Sequence, residues 1–199
     1  MKKVLIHLCC GPCSIIPIQI LQDKGYEVSG YFANPNIHPL SEYLRRREST
    51  EEVANKMGIT MFWQDDIYNV SNWLESVYQK GIADNKGGLR CLYCYHSRLK
   101  LTQKTAQAYG FDAFTTSLFY SKHQRHELIL KAGEKIEQET PTVQFLYQDF
   151  RAGWQKGIDT SKEWGLYRQN YCACIFSETE RFQNKLNKLL NVTQSNSSY

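Results

Sequence analysis

The chain has 199 residues, of which 42% are hydrophobic and 22% are charged, and this composition predicts one globular domain with a sizeable core. Its formal net charge of +4 is far below the basic excess of a dedicated nucleic-acid binder, so charge permits an RNA substrate without indicating one. No stretch is apolar enough to serve as a secretory leader or to cross a bilayer, so we expect a cytoplasmic protein with no membrane partner.

Strand-like and helix-like segments alternate along the chain. In chain order, the sequence predicts a strand at 2–8, a helix at 14–25, a strand at 27–34, a helix at 41–57, a strand at 58–64, a helix at 68–80, a glycine-bearing loop at 85–89, a helix at 91–109, a strand at 111–119, a helix at 123–138 and a strand at 141–147. This alternation predicts an α/β fold with a mostly parallel sheet and helices on both faces. We expect a single domain over residues 1–190 and a disordered tail at 191–199, which is rich in Asn, Ser and Gln.

Seven cysteines fall in three tight sets, which are Cys9, Cys10 and Cys13, then Cys91 and Cys94, then Cys172 and Cys174. Thiolates are the ligands that soft iron and zinc prefer, and they exchange electrons as disulfides. An odd number of clustered cysteines in a reducing compartment argues against a structural disulfide framework. The sets therefore indicate a metal or redox centre.

The first set, in HLCCGPCS, follows the first predicted strand, where open parallel sheets bind their ligands. Adjacent side chains on extended backbone point to opposite faces, so Cys9 and Cys10 can serve one centre only if the chain turns at Gly11. The alternative is that Cys9 and Cys10 are small core residues at the end of a strand. The third thiol, that of Cys13, makes this alternative weaker.

The other two sets leave several kinds of chemistry open. Cys91 and Cys94 begin a predicted helix, whose dipole stabilises thiolates, and their spacing suits structural zinc and iron–sulfur equally well. A thioredoxin-like pair is a weaker possibility, because that motif normally follows the first strand. Cys172 and Cys174, with one residue between them, could form a strained redox-active disulfide or act as further metal ligands.

Several separated segments together resemble the QueH-type epoxyqueuosine reductases of tRNA modification. The resemblance covers residues 3–177 and depends on HLCCGPCS, NPNIHPLSEYLRR, LRCLYCYHSRL, TTSLFYSKHQRHELI and SKEWGLYRQNYCACIFS. It implies a Rossmann-like, adenine nucleotide hydrolase-type sheet and a 4Fe-4S cluster. It also implies reductive removal of the epoxide oxygen from epoxyqueuosine in tRNA to give queuosine, with electrons from an external donor.

The resemblance also implies roles for the cysteines of this chain. Cys9, Cys10, Cys91 and Cys94 would be the cluster ligands, and Cys172 and Cys174 the redox-active pair. Cys13 stands where other members can carry Asp, which makes it a candidate ligand to one additional iron. Ala173 replaces an expected Gly, so a positive φ there would carry strain.

Substrate contacts are predicted at the edge of the sheet. Basic and aromatic side chains there could meet the phosphates and bases of an anticodon loop, and the candidates are Arg45, Arg46, Tyr120, Lys122 and Arg168. A charge run is more often a solvated helix face. Candidate proton donors are Tyr120, His123 and Tyr167.

Two other functions remain open from the residues alone. A zinc-stabilised tRNA-binding module without redox catalysis would use the cysteines to fold and the basic residues to hold tRNA. A nucleotide-using tRNA sulfur transferase is less favoured, because the chain lacks a Ser-Gly-Gly-type pyrophosphate loop after the first strand.

Overall fold

The computed structural model describes residues 1–84 and 88–196, and for residues 191–196 it describes the backbone alone. This part of the chain forms a five-stranded parallel sheet in the order β3-β2-β1-β4-β5. The strands are β1 (Lys3–His7), β2 (Glu27–Phe32), β3 (Thr60–Trp63), β4 (Ala113–Thr116) and β5 (Gln144–Phe145). The predicted α/β, Rossmann-like fold class is confirmed.

Helices cover the sheet. They are α1 (Gly11–Asp23), α2 (Leu40–Met57), α3 (Val70–Gln79), α4 (Leu89–Ala108), α5 (His126–Glu139), α6 (Trp154–Glu163) and α7 (Ile175–Asn196). Helix α1 packs on α2 and α6, and α4 packs on α5. The sequence did not predict α6 or α7, since α6 is short and holds Gly157 in its middle, and the described side chains of α7, at 175–190, are mostly exposed.

Strand β1 lies in the middle of the sheet, with β2 on one side and β4 on the other. Val4, Leu5 and Ile6 are fully buried, because both faces of a central parallel strand are covered. All strands run the same way, so the carboxyl ends of β1, β2 and β4 meet at one edge. The first cysteine set follows β1 at that edge.

Strand β4 is shorter than predicted. It ends at Thr116, and Ser117–Tyr120 form a 3₁₀ turn instead of continuing to residue 119. The Thr116 hydroxyl accepts a hydrogen bond of 3.1 Å from the backbone N–H of Leu118, which stabilises this turn. The turn places Ser117 beside Cys9.

Two predicted segments involve residues outside the described part. Of the loop expected at 85–89, residues 85–87 lie outside the described residues, and Gly88 directly precedes α4. The backbone of α7 continues to Asn196, while residues 197–199 of the expected tail are not described. The single domain and the disordered tail therefore stay predictions. Among the described helices, none combines the length and the apolar character that crossing a membrane requires.

Gly11 begins α1, and Pro12 occupies the first turn of the helix. The start of the helix supplies the change of direction that was predicted at Gly11. The residue has a second role, since a Cβ atom there would overlap the backbone carbonyl of Ser49 in α2. Glycine thus allows α1 and α2 to approach closely behind the cysteines.

Candidate metal centre

The first cysteine set forms a compact group of sulfurs at the carboxyl end of β1. The Sγ atoms of Cys9, Cys10 and Cys13 lie within 4.8 Å of one another. Those of Cys9 and Cys10 are 3.9 Å apart. Cys10 is buried, and the other two are partly exposed. Hydrogen bonding with Cys10 and then with Cys13 lowers the pKa of Cys9 well below its ordinary value, so Cys9 is the thiol of this set that ionises most readily.

Neighbouring strands hold this group in place. Ser117 Oγ accepts a hydrogen bond of 3.3 Å from the backbone N–H of Cys9 and lies 3.7 Å from its sulfur. The ring nitrogens of His7 contact Thr116 Oγ1 at 3.0 Å and Asn34 Oδ1 at 3.1 Å. Burial lowers the pKa of His7 to about 3, so its imidazole is neutral. His7 is thus a hydrogen-bonded structural residue in this arrangement.

The second set lies at the start of α4, as predicted, and is close to the third set. Burial raises the pKa of Cys94 to about 12, and nearby charges that act on it include those of Cys174, Cys172 and Cys91. Among the described residues, the sulfurs that lie within 4.8 Å of one another are those of Cys9, Cys10 and Cys13, and no cysteine of α4 belongs to this group. The structure thus has two sulfur groups, one formed by the first set and one by the second and third sets.

The third set lies in the segment between α6 and α7. Cys172 is exposed and Cys174 is partly buried, and no disulfide joins any of the seven cysteines, all of which are in the described part of the chain. Ala173 does not have a positive φ, so the strain considered from sequence does not arise. Its carbonyl accepts a hydrogen bond of 3.0 Å from the N–H of His38.

Arg46 holds this segment from α2. Its side chain is 1% exposed, and Nε donates to Glu42 Oε1 at 2.7 Å. Nη1 donates to the carbonyl of Cys172 at 2.5 Å, and Nη2 to that of Tyr171 at 3.2 Å. These bonds favour a positioning role for Arg46 over the phosphate contact expected from sequence, because a phosphate would have to displace them.

Among the other predicted substrate residues, Tyr120 is the one on which the first cysteine set acts. Burial raises the pKa of Tyr120, as do the charges of Cys13 and Cys10, while its hydroxyl donates to the Trp154 carbonyl at 2.9 Å. Exposed Lys122 lies 5.6 Å from the centre of the Trp154 ring, and the exposed Arg168 acts on Tyr120 through its charge. Arg45 is exposed on α2, where its guanidinium lies 5.3 Å from the centre of the Tyr167 ring.

Sequence reasoning missed several residues that contact the sulfurs. The Gln169 side-chain amide donates to Cys10 Sγ at 2.9 Å and to Cys13 Sγ at 3.6 Å. That of Gln124 donates to Cys172 Sγ at 3.2 Å. Both glutamines lie inside the segments that carry the family resemblance, but their spacing from the cysteines gave no signal of contact.

A comparison with protein-family models matches residues 4–180 to the family described as "Epoxyqueuosine reductase QueH". A relative named epoxyqueuosine reductase QueH from Thermotoga maritima is 37% identical over 185 residues, which covers 91% of this chain and 93% of the relative. One of the same name from Dehalococcoides mccartyi is 36% identical over 180 residues, covering 90% and 94%.

Among solved structures, the chain is similar to one described as a predicted subunit of tRNA methyltransferase from Methanocaldococcus jannaschii. The TM-score is 0.56 with 15% identity, over 82% of this chain and 75% of the other. At that identity the likeness supports the fold alone.

Proposed function

The chain belongs to the epoxyqueuosine reductase QueH family and is an oxidoreductase, and we propose that it removes the epoxide oxygen from epoxyqueuosine in the anticodon loop of tRNA to give queuosine. The reaction consumes two electrons and two protons and releases the oxygen as water. An external electron donor must therefore supply the electrons. The names of the curated relatives support this reaction and argue against a zinc-stabilised module without catalysis.

The first cysteine set fits a metal. Four thiolates around one ion, with bonds of about 2.3 Å, have their sulfurs about 3.8 Å apart. The separation of 3.9 Å between the sulfurs of Cys9 and Cys10 agrees with this spacing. Thiolates also select zinc and iron over hard cations. The group of Cys9, Cys10 and Cys13 at the end of β1 is the observation that carries the proposal.

We infer that Cys9, Cys10, Cys91 and Cys94 hold a 4Fe-4S cluster and that Cys13 is a ligand to one additional iron. Each iron of such a cluster takes one of the four thiolates, so the cluster would span both sulfur groups, and the sulfurs of Cys9 and Cys10 would have to stand farther apart than their present 3.9 Å. When bound, it would supply electrons of low potential and a Lewis acid for the epoxide oxygen. The family resemblance of all three cysteine segments supports this ligand set.

The protein orients its sulfurs with polar side chains. The amide of Gln169 donates to Cys10 at 2.9 Å, and Ser117 contacts both the N–H and the sulfur of Cys9. Cys172, with Cys174, is the proposed redox-active pair. Its exposure makes it accessible to a donor, and the hydrogen bond from Gln124 orients its sulfur.

Tyr120 is the proposed proton donor. Of the three candidates, its phenol is the one on which the charges of Cys13 and Cys10 act. Both tyrosine hydroxyls donate hydrogen bonds in this structure, Tyr120 to the Trp154 carbonyl and Tyr167 to the carboxylate of Glu42, which also binds Arg46. His123 is exposed and contacts the edge of the Trp154 ring, 5.7 Å between ring centres.

The proposed tRNA surface consists of the exposed cations around this site. Arg45, Lys122 and Arg168 are exposed, so their charges can reach phosphates. Trp154 stacks on Tyr120 with ring centres 5.1 Å apart and lies beside Lys122, which places an aromatic ring next to a cation. Unstacked bases of RNA loops are commonly bound in this way.

The test is anaerobic purification and reconstitution, with iron, sulfide and zinc counted and an EPR spectrum recorded. The loaded protein is then given tRNA that contains epoxyqueuosine and a strong reductant, and the nucleosides are analysed by mass spectrometry. We expect iron, sulfide and conversion to queuosine. A colourless protein that holds only zinc, or an iron–sulfur protein that leaves epoxyqueuosine unchanged, would contradict the proposal.

A further inference from the structure

Three arginines are buried in the part of the fold that carries the cysteine sets. Arg46 is 1% exposed, Arg90 is 4% exposed and Arg98 is 2% exposed. A buried cation is costly unless an anion accompanies it. Arg46 has Glu42 at 2.7 Å, and Arg90 has Glu180 at 2.5 Å. Two of the three buried charges are therefore compensated by carboxylates.

Arg98 is different. In the part of the chain that the structure describes, no carboxylate oxygen lies within the 4.0 Å of an ion pair from its guanidinium. It lies on α4 one turn after Cys94, whose backbone carbonyl accepts a hydrogen bond of 3.0 Å from Arg98 Nε. Its guanidinium carbon is 5.8 Å from the centre of the Tyr95 ring. These contacts are with neutral groups and do not cancel its charge.

Thiolates of the cysteine sets are the anions that can compensate Arg98. Burial acts to lower the pKa of Arg98, but the charges of Cys94, Cys172 and Cys9 overcome this effect and raise it. These three cysteines belong to the three different sets. When metal binding deprotonates these sulfurs, they supply the negative charge that the buried Arg98 otherwise lacks.

We propose that Arg98 is the counter-charge of the sulfur centre, which favours the anionic metal-bound thiolates and makes the centre easier to reduce. The inference rests on the proposed function, because that function supplies the metal-bound centre. One electron taken from the external donor adds one negative charge to the centre. A nearby positive charge stabilises that reduced form, and burial limits the screening by water and salt.

The experiment compares Arg98→Met, which removes the charge, with Arg98→Lys, which keeps it. The reduction midpoint of each anaerobically reconstituted protein is measured by an EPR-monitored redox titration. We expect Arg98→Met to lower the equilibrium constant for one-electron reduction at least about tenfold, which is about 59 mV toward more negative potential. Arg98→Lys should lie close to the parent protein. Lys104→Met, which removes an exposed charge from the same helix, should leave the midpoint unchanged.

An Arg98→Met protein that is loaded like the parent and has the same midpoint would overturn the inference. If Arg98→Met takes up no iron, Arg98→Lys decides: retention of iron supports the role of the charge. If both variants lose iron while circular dichroism shows an intact fold, the shape of the arginine side chain and not its charge matters. This outcome overturns the inference. If the parent protein itself binds no iron and sulfide, the proposed function fails as well. This result differs from a loaded parent with an unchanged Arg98→Met midpoint, which overturns the inference alone.

Discussion

The guanidinium of Arg46 on α2 donates a hydrogen bond of 2.5 Å to the backbone carbonyl of Cys172, which lies between α6 and α7. The same side chain is paired with Glu42 at 2.7 Å. Tyr167 donates its hydroxyl to the other oxygen of that carboxylate. One buried network thus connects α2 to the segment that carries the third cysteine set, and it fixes where Cys172 lies.

Replacing Arg46 should destabilise the protein and loosen this segment. Arg46→Met leaves the buried Glu42 without its cation, which we expect to cost about 3–5 kcal/mol of unfolding free energy. Urea unfolding of the iron-free protein measures this cost without a contribution from metal binding. Alkylation of Cys172 should also become faster, because its carbonyl loses a charged donor.

The control is the double variant Glu42→Gln with Arg46→Met, in which both charges are removed together. Because no buried charge is then left unpaired, it should lose less stability than the single variant. If the single and double variants lose the same unfolding free energy, the unpaired charge of Glu42 is not the cause of the destabilisation.

The sheet was predictable because its strands have simple patterns. The run around Val4, Leu5 and Ile6 is apolar on both faces, as a central parallel strand requires, and glycines mark several helix ends. The two missed helices lack an apolar run of this kind, although Gly165 follows α6 as a glycine stop. Gly157, in α6, leaves room for the Tyr120 hydroxyl, which a Cβ atom there would overlap, and this tertiary contact cannot be read from local sequence.

The third cysteine set should be needed for turnover and not for holding the cluster. Cys172→Ser and Cys174→Ser are expected to keep the iron and sulfide content of the parent protein and to lose conversion of epoxyqueuosine. Each serine keeps the size of the side chain and removes the redox-active sulfur. Iron and sulfide assays on the same preparations that are tested with tRNA provide the measurement.

Cys9→Ser and Cys91→Ser are the matched comparison, since each removes a proposed cluster ligand from a different sulfur group. Both should lose iron as well as turnover. Loss of iron in Cys172→Ser to the same extent would instead make Cys172 a metal ligand.

Gly11→Ala should destabilise the fold beside the centre. The added Cβ overlaps the backbone carbonyl of Ser49, which cannot rotate away, so α1 and α2 must move apart. Overpacking of this kind costs about 1–3 kcal/mol. Gly153→Ala is the comparison and should cost less, because the atoms nearest to its Cβ belong to the side chain of Ile16 and not to backbone. If both variants unfold at the same urea concentration, the close approach of the helices does not matter.

The site was predictable in part, because cysteines that share a metal are grouped in sequence. Cys9, Cys10 and Cys13 are close in the chain and close in space. The partners of the sulfurs could not be found in that way. Arg98 lies four positions after Cys94 but acts on Cys9 and Cys172 through the fold, and Gln169 reaches Cys10 from the far end of the chain.

The exposed cations should determine how salt affects tRNA binding. A side chain that contacts one phosphate of single-stranded RNA contributes about 0.7 to the slope of log affinity against log salt concentration. We therefore expect Lys122→Met and Arg168→Met each to make that negative slope shallower by about 0.7. Lys104→Met should not change it, because Lys104 lies about 20 Å along α4 from Cys91. Binding of fluorescently labelled tRNA at several salt concentrations measures the slopes, and an unchanged slope in both site variants would exclude this surface as the phosphate contact.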